Sequence, residues 1–463
     1  MNSWAKQGVD LHLQVERAGG AGLRAGLERA LRAAVRSGRL QAGTRLPSSR
    51  QLAAELGIAR NTVADVYTQL VAEGYFTSGR GAGTHVAGMP GRTRAPAAPG
   101  DREPSPRIRY DLRPGRPDLG IFPRDAWLAA TRRVLSAGPA DALSYGDPQG
   151  PLTARRTLAG YLARVRGVDA DPGCVVLCTG YRQAVALVGA AVARSGATRA
   201  AVESPGLPEV PEALRRAGLT PVDMPVDSHG ARTGLLGTLE VEMAVLTPAH
   251  QFPTGAQLSA ARRAAVLDWC RRVDGFLLED DYDGEFRYDR QPVGALQGLA
   301  PDHVLYAGSA SKTLAPGLRL GWLVVPPRLL SAVLAEKALA DRHSNVLDHL
   351  VLADLIEHGD YDRHVRRARL RYRRRRDELA RALAGCAPAR RAAGVAAGLH
   401  AVVALPEGTG DALARLDQAG VAVNDMSRYT ATPNPDALVI GYATPPGHTW
   451  PTALTAFTTA ISG

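Results

Sequence analysis

The stretch "GSASKTLAPGLRLGW" (308–322) holds Lys312, one of only three lysines among 56 basic residues. A lysine, unlike an arginine, can lose its proton at accessible pH and attack a carbonyl to form a Schiff base. Lys6 and Lys337 read as ordinary surface lysines, so rarity alone decides nothing and the question is what surrounds Lys312. Ser309, Ser311 and Arg319 flank it with two hydroxyls and a cation suited to an anionic group. Upstream, "GFLLEDDYDGEF" (275–286) ends an apolar run in Asp280 and Tyr282. A buried carboxylate keeps a pyridine nitrogen protonated, and a phenol two residues on can bond a phenolate oxygen. "TGYRQAVAL" places Gly180, Tyr181 and Arg182 at a helix start, where backbone amides accept phosphate. An aldehyde, a ring nitrogen, a phenolate and a phosphate together describe pyridoxal 5′-phosphate (PLP), with Lys312 as the Schiff-base residue.

These side chains need a scaffold that brings strand ends together. Short apolar runs stop at Gly or polar clusters in "CVVLCTGYRQ" (174–183), "RAAVESPGLP" (199–208), "MAVLTPAHQFPTG" (243–255), "GFLLEDDYDGEF" and "HVLYAGSASK" (303–312). Helical patterns separate them, which predicts an α/β domain with a mostly parallel sheet covered on both faces. In such sheets a ligand sits beyond the carboxyl ends of the strands, where Gly180, Asp280, Tyr282 and Lys312 all fall.

Residues 110–463 resemble the fold-type I aminotransferases, on "SxSKxxxPGLRxG", Asp280-x-Tyr282, "YGDPQG" (145–150) and "HQFPTG" (250–255). The resemblance implies a dimer in which Tyr145 reaches the cofactor phosphate of the neighbouring subunit. It also marks two departures. Leu207, in "ESPGLP", stands where an aromatic commonly stacks on the cofactor ring. Near the carboxyl terminus, Asp436 stands about where a carboxylate-clamping arginine is expected, and the position of Arg428 is open. Without a substitute arginine, an amino-acid carboxylate would meet an acidic side chain.

The first 87 residues carry 11 Lys+Arg against 6 Asp+Glu. Leu27, Leu31 and Val35 share one helical stripe with arginines off it. Pro47, Ser48 and Gln51 read as a capping-box start, with Leu52 and Leu56 facing inward. Gly57 closes that helix, and Asn61 opens another whose inner face is Val63, Val66 and Leu70. Two short helices around a glycine turn, roughly 49–68, make a helix-turn-helix. "GYFTSGRGAGTHVA" (74–87) alternates as a hairpin wing. The segment resembles the winged helix of the GntR family of transcription regulators. That resemblance implies DNA contacts from Arg50, Arg60, Asn61, Thr62, Arg80 and Gly81, with Arg45 on a phosphate. Ala59 departs from the Ser or Thr that often precedes the recognition helix.

Residues 88–109, "GMPGRTRAPAAPGDREPSPRIR", are rich in Pro, Gly and Arg and have no apolar period, so they read as a tether. Three parts follow: a DNA-binding head (1–87), a linker (88–109) and a PLP-binding domain (110–463). The chain's net charge of +11 suits an anionic partner but also fits an arginine-rich composition. Cys174, Cys178, Cys270 and Cys386 form no pair or histidine cluster at ligand spacing, so reduced thiols and no metal site are expected. No apolar run approaches the roughly 18 residues of a membrane span, and the cytoplasm is the expected compartment. "DRHVRRARLRYRRRRDELARAL" (362–383) reads as a solvated face of a basic helix rather than a second DNA surface.

A GntR winged helix linked to an aminotransferase-like domain resembles the MocR-type regulators. The resemblance implies a head-to-tail homodimer that binds double-stranded operator DNA. It also implies sensing of PLP, alone or through an amino-compound adduct, in control of vitamin B6 or amino-acid metabolism. The competing reading is an active PLP-dependent aminotransferase with an appended head.

Overall fold

The computed structural model describes residues 22–79, 83–88, 108–138, 144–288, 293–386, 392–394, 396–405, 408–430 and 436–462. Contacts divide the chain into two units, residues 1–103 and 104–463. Of the expected linker, residues 89–107 lie outside the described part.

In the first unit, helix α1 (Leu23–Arg36) buries Leu27 and Leu31, and Ala34 completes the stripe expected of Val35. Helix α2 (Ser49–Leu56) begins at Ser48. The Ser48 side chain accepts from the Gln51 amide, and the Gln51 side chain accepts from the Ser48 amide, forming a complete capping box. Gly57 ends the helix in the left-handed region at φ 64°, where a glycine carries no Cβ penalty. Helix α3 (Arg60–Ala72) turns Val63, Val66 and Leu70 fully inward. Ala59 gives it no side-chain cap. Strands β1 (Phe76–Gly79) and β2 (Gly83–Val86) pair antiparallel, Phe76 opposite Val86, and both residues join the same core. Each fully buried aliphatic side chain here contributes roughly 1.5–3 kcal/mol before entropy is counted.

The second unit opens with the short strand β3 (Tyr110–Asp111) and builds an eight-stranded sheet in the order β4-β11-β10-β9-β8-β5-β6-β7. The strands are β4 (Val175–Cys178), β5 (Arg199–Ser204), β6 (Thr220–Asp227), β7 (Gly230–Ala231), β8 (Met243–Leu246), β9 (Phe276–Asp281), β10 (Val304–Ser309) and β11 (Gly321–Val324). The five apolar runs of the sequence are β4, β5, β8, β9 and β10. β5, β6, β8, β9 and β10 run parallel, while β11 runs antiparallel to both β10 and β4. β4, β8 and β11 are apolar and buried at every residue because both faces of the sheet are covered there. Leu323 packs with Val176, Cys178 and Leu305 on one face, and Trp322 and Val324 pack with Val175, Leu177 and Tyr306 on the other.

A smaller sheet, β12-β13-β16-β15, is made by β12 (Ala392–Ala393), β13 (His400–Ala404), β15 (Asn424–Asp425) and β16 (Ala437–Gly441), while β14 (Val421–Ala422) pairs with β3. The helices Asp360–Cys386 and Trp450–Ser462 contribute Tyr372, Leu379, Leu383, Phe457 and Ile461 to the core it shares. The arginine run of 362–383 is therefore not solvated all round. Arg375 is buried and its guanidinium donates to the Asp118 carboxylate at 3.0 Å. Lys337 is likewise no surface lysine: it is fully buried and ion-paired with Asp341 at 2.5 Å.

Candidate functional site

The parallel strands end on one edge, and the residues expected to do chemistry collect there. Asp280 lies opposite Ala307 in the β9–β10 register, and Ser309 lies opposite Gly321 across β10–β11, which lies opposite Cys178 of β4. Immediately after β4, Gly180 (φ 95°) caps helix α4 (Tyr181–Arg194). A Cβ on Gly321 would stand 2.5 Å from the Gly180 Cα, and one on Gly180 would stand 3.6 Å from the Arg319 guanidinium. Two glycines thus let three chain segments converge on one free helix start with a cation beside it. Such a start offers unpaired amides and a partial positive charge to an anion.

A cavity of about 360 Å³ opens over this edge, lined by Tyr181, Arg182, Leu207, Asp280, Tyr282, Ser309, Ser311, Lys312 and Arg319. The Lys312 ammonium donates to the Gly115 carbonyl at 2.6 Å, and burial lowers its pKa from the ordinary value, against the raising effect of Asp280 and Asp283. A depressed lysine carries more of the nucleophilic free amine near neutrality. Burial raises the Asp280 carboxyl well above its usual range, with the neighbouring Asp281 adding to it, while a hydrogen bond from the Tyr181 hydroxyl works the other way. Burial, then the Asp283 and Asp280 charges, hold the Tyr282 phenol well above 10. An amine, a carboxyl, a phenol and an anion cradle share one cavity, and that donor set fits the aldehyde, ring nitrogen, phenolate and phosphate of PLP.

Tyr145 stands apart from this cavity wall. It is 78% exposed, with the Arg342 guanidinium 4.3 Å over its ring. Arg428 is placed in the wall, with Asn424 and Tyr429, whereas Asp436 is not among the lining residues. This part of the wall therefore carries an arginine rather than the acidic side chain of Asp436. Asp436 precedes β16, while Arg428 follows β15 in a short 3-10 turn, Met426–Tyr429, whose Arg428 and Tyr429 line the cavity.

Sequence reading also passed over Glu203, His250, Asp283 and His400. Glu203, next to last in β5, lines the cavity and accepts from the Thr247 amide at 3.2 Å and from the Thr247 hydroxyl. Burial pushes its carboxyl up to about 7. His250, Asp283 and His400 come together from three distant segments, all buried, with ligand-type atoms within 4.8 Å of one another. Glu203 lies in "RAAVESPGLP", His250 in "HQFPTG" and Asp283 in "GFLLEDDYDGEF", while His400 has no local signal.

In the first unit, Arg45, Arg50, Arg60 and Asn61 are exposed and Thr62 is half-buried. Arg60, Asn61 and Thr62 form the first turn of α3, and the Arg45 side chain lies against Gly83 of the wing, 3.2 Å from where a Cβ would stand. Arg80 and Gly81 lie outside the described residues.

Residues 23–86 match the family of bacterial regulatory proteins of the gntR type, and residues 115–449 match aminotransferase class I and II. The HTH-type pyridoxine biosynthesis transcriptional regulator PdxR of Corynebacterium glutamicum is 30% identical over 416 residues, covering 89% of this chain and 90% of its own. The chain belongs to the MocR-type regulators of the GntR family. Within that family, the probable rhizopine catabolism regulatory protein MocR of Rhizobium meliloti is 33% identical over 366 residues, covering 74% of each chain. An archaeal alanine:glyoxylate aminotransferase shares the fold at a TM-score of 0.70 and 24% identity, over 76% of this chain and 90% of that one. A MocR-type chain thus joins a DNA-binding winged helix to the fold of a PLP-binding family. No helix among the described residues is long and apolar enough to cross a membrane.

Proposed function

We propose that this MocR-type regulator binds operator DNA through its winged helix and holds PLP in the aminotransferase-like cavity, whose occupancy sets the DNA-bound state. The observation that carries the reading is the meeting of Lys312, Asp280, Tyr282 and the Gly180–Arg319 cradle in one cavity of a chain with a winged helix. When bound, PLP supplies an aldehyde that a lysine amine can capture covalently. In that arrangement Lys312 holds the cofactor, Asp280 takes the ring nitrogen and Tyr282 donates to the phenolate oxygen. The α4 amides with Ser309, Ser311 and Arg319 hold the phosphate, and Leu207 packs on the ring. On the DNA side, Arg60, Asn61 and Thr62 enter the major groove, and Arg45, Arg50, Arg80 and Gly81 position the duplex. The protein acts as a homodimer, with Tyr145 of each subunit directed at the neighbour's phosphate.

Arg428 widens the effector reading. An arginine at the cavity wall can pair with a carboxylate, so a PLP adduct with an amino acid is favoured over PLP alone. The regulon this suggests is vitamin B6 or amino-acid metabolism. The test is a gel shift against the gene's own upstream region, with and without PLP and a panel of amino acids. A salt-sensitive specific complex whose affinity changes with PLP is expected. No specific complex in any state, or sustained keto-acid production from an amino donor, overturns the reading in favour of an enzyme.

A further inference from the structure

The buried histidines beside Tyr282 have no role in the reading above. His250 follows β8, Asp283 follows β9, and His400 begins β13 on the other sheet, so the fold assembles them from three places. The His250 Nδ1 lies 2.7 Å from an Asp283 carboxylate oxygen and 3.0 Å from the Tyr282 hydroxyl. The His250 ring stacks on Tyr282 at 6.1 Å and 29°, and the His400 ring stands 5.0 Å from it, tilted by 42°. His400 uses its Nε2 on the Pro253 carbonyl at 3.1 Å. Gly398, at φ 73°, closes the cluster. A Cβ there would come within 2.2 Å of the His250 ring and 2.5 Å of the Asp283 carboxylate.

The spacing distinguishes a hydrogen bond from a shared metal ion. Two ligands of one tetrahedral zinc at about 2.0–2.1 Å lie about 3.3 Å apart, whereas His250 and Asp283 stand 2.7 Å apart. A carboxylate can only accept, so the His250 Nδ1 carries its proton and donates to Asp283. With that nitrogen occupied, it cannot accept from Tyr282. The phenol hydrogen is left for an acceptor in the cavity that Tyr282 lines.

We infer that Asp283 and His250 are positioning residues for Tyr282, holding its phenol protonated and aimed into the cavity as the donor to the cofactor's phenolate oxygen. The inference rests on the PLP reading. The charged and titratable groups facing Tyr282 are Asp280, Asp283, Glu203, His250, His400 and Lys312. Burial and the neighbouring His250 push His400 down to about 3, which leaves it neutral, a spacer rather than a charge. Donation from Tyr282 favours the anionic form of the oxygen that receives it, so a weakened donor moves the cofactor's proton uptake to higher pH.

The experiment follows the visible absorption of the full-length, PLP-saturated chain across pH. In Asp283→Asn and His250→Leu the pH midpoint of the colour change is expected to rise by about one unit, with PLP affinity falling several-fold. His250→Asn, whose amide can replace the Nδ1 donor, is expected to restore the midpoint. In a Tyr282→Phe background, Asp283→Asn is expected to shift nothing further, because the residue it acts through is gone. Circular dichroism checks that each variant folds. An unmoved midpoint in the folded Asp283→Asn variant, a shift that persists in the Tyr282→Phe background, or stoichiometric metal in the wild-type chain overturns the inference. A wild-type chain that takes up no colour at all overturns the PLP reading itself.

Discussion

The winged helix and the aminotransferase-like cavity handle charge in opposite ways. The winged helix keeps Arg45, Arg50 and Arg60 exposed, where water and salt screen them and where a duplex can reach them. The cavity takes Lys312, Asp280 and Tyr282 out of water, and burial is the first cause of each shifted pKa. An exposed cation serves a polyanion through number and position. A desolvated amine and carboxyl serve one small molecule through altered proton affinity. The two halves therefore answer to different perturbations: salt acts on the first, and pH and single-atom steric changes act on the second.

The largest effect should come from Lys312→Ala. PLP should then leave DNA affinity unchanged in a gel shift, while the cofactor-free chain binds DNA as the wild type does. A retained PLP response would break the division of labour. Gly321→Ala should come next. Its new Cβ would press on the Gly180 backbone, and overpacking of this kind costs on the order of 1–3 kcal/mol. PLP affinity, measured by absorbance titration, should fall about ten- to a hundredfold, with operator binding of the cofactor-free chain intact. Arg60→Ala should be the mirror image, weakening DNA binding by about 1–3 kcal/mol and reducing its salt dependence. The PLP absorption band should stay as it is.

Glu203 gives the smallest effect and sharpens the pH side of the comparison. Its carboxyl sits at about 7 in the fold against an ordinary 4.5. The folded domain therefore keeps a proton that the unfolded chain releases. Its contribution to stability is complete below about 4.5 and fades as pH rises through about 7. Thermal midpoints of wild type and Glu203→Gln, taken at about pH 5 and about pH 8, should show a shallower pH dependence in the variant. Equal slopes would remove Glu203 from the account.

What the sequence made legible follows from range of interaction. The capping box of Ser48 and Gln51, the inward faces of α2 and α3, and the five apolar strands are set within a few residues, and all five strands appear in the sheet. Asp280 and Tyr282, or Ser309 and Lys312, sit close enough in sequence for one strand end to deliver both. Lys337 reads as a surface lysine because its burial depends on packing that the sequence does not display, although its partner Asp341 stands only four residues on. The sequence leaves Arg428 unplaced because a 3-10 turn of four residues decides where it sits. His250, Asp283 and His400 span 150 positions, and only the approach of the smaller sheet to the end of the larger one brings them together.

Capture of the cofactor by the amine at position 312 is what the proposed function requires first. The direct measurement is reduction of the PLP-saturated chain with borohydride, followed by peptide mapping by mass spectrometry. The account predicts one pyridoxyl phosphate label per chain, on Lys312. A label on Lys6 or Lys337, or no label after saturation, would contradict it.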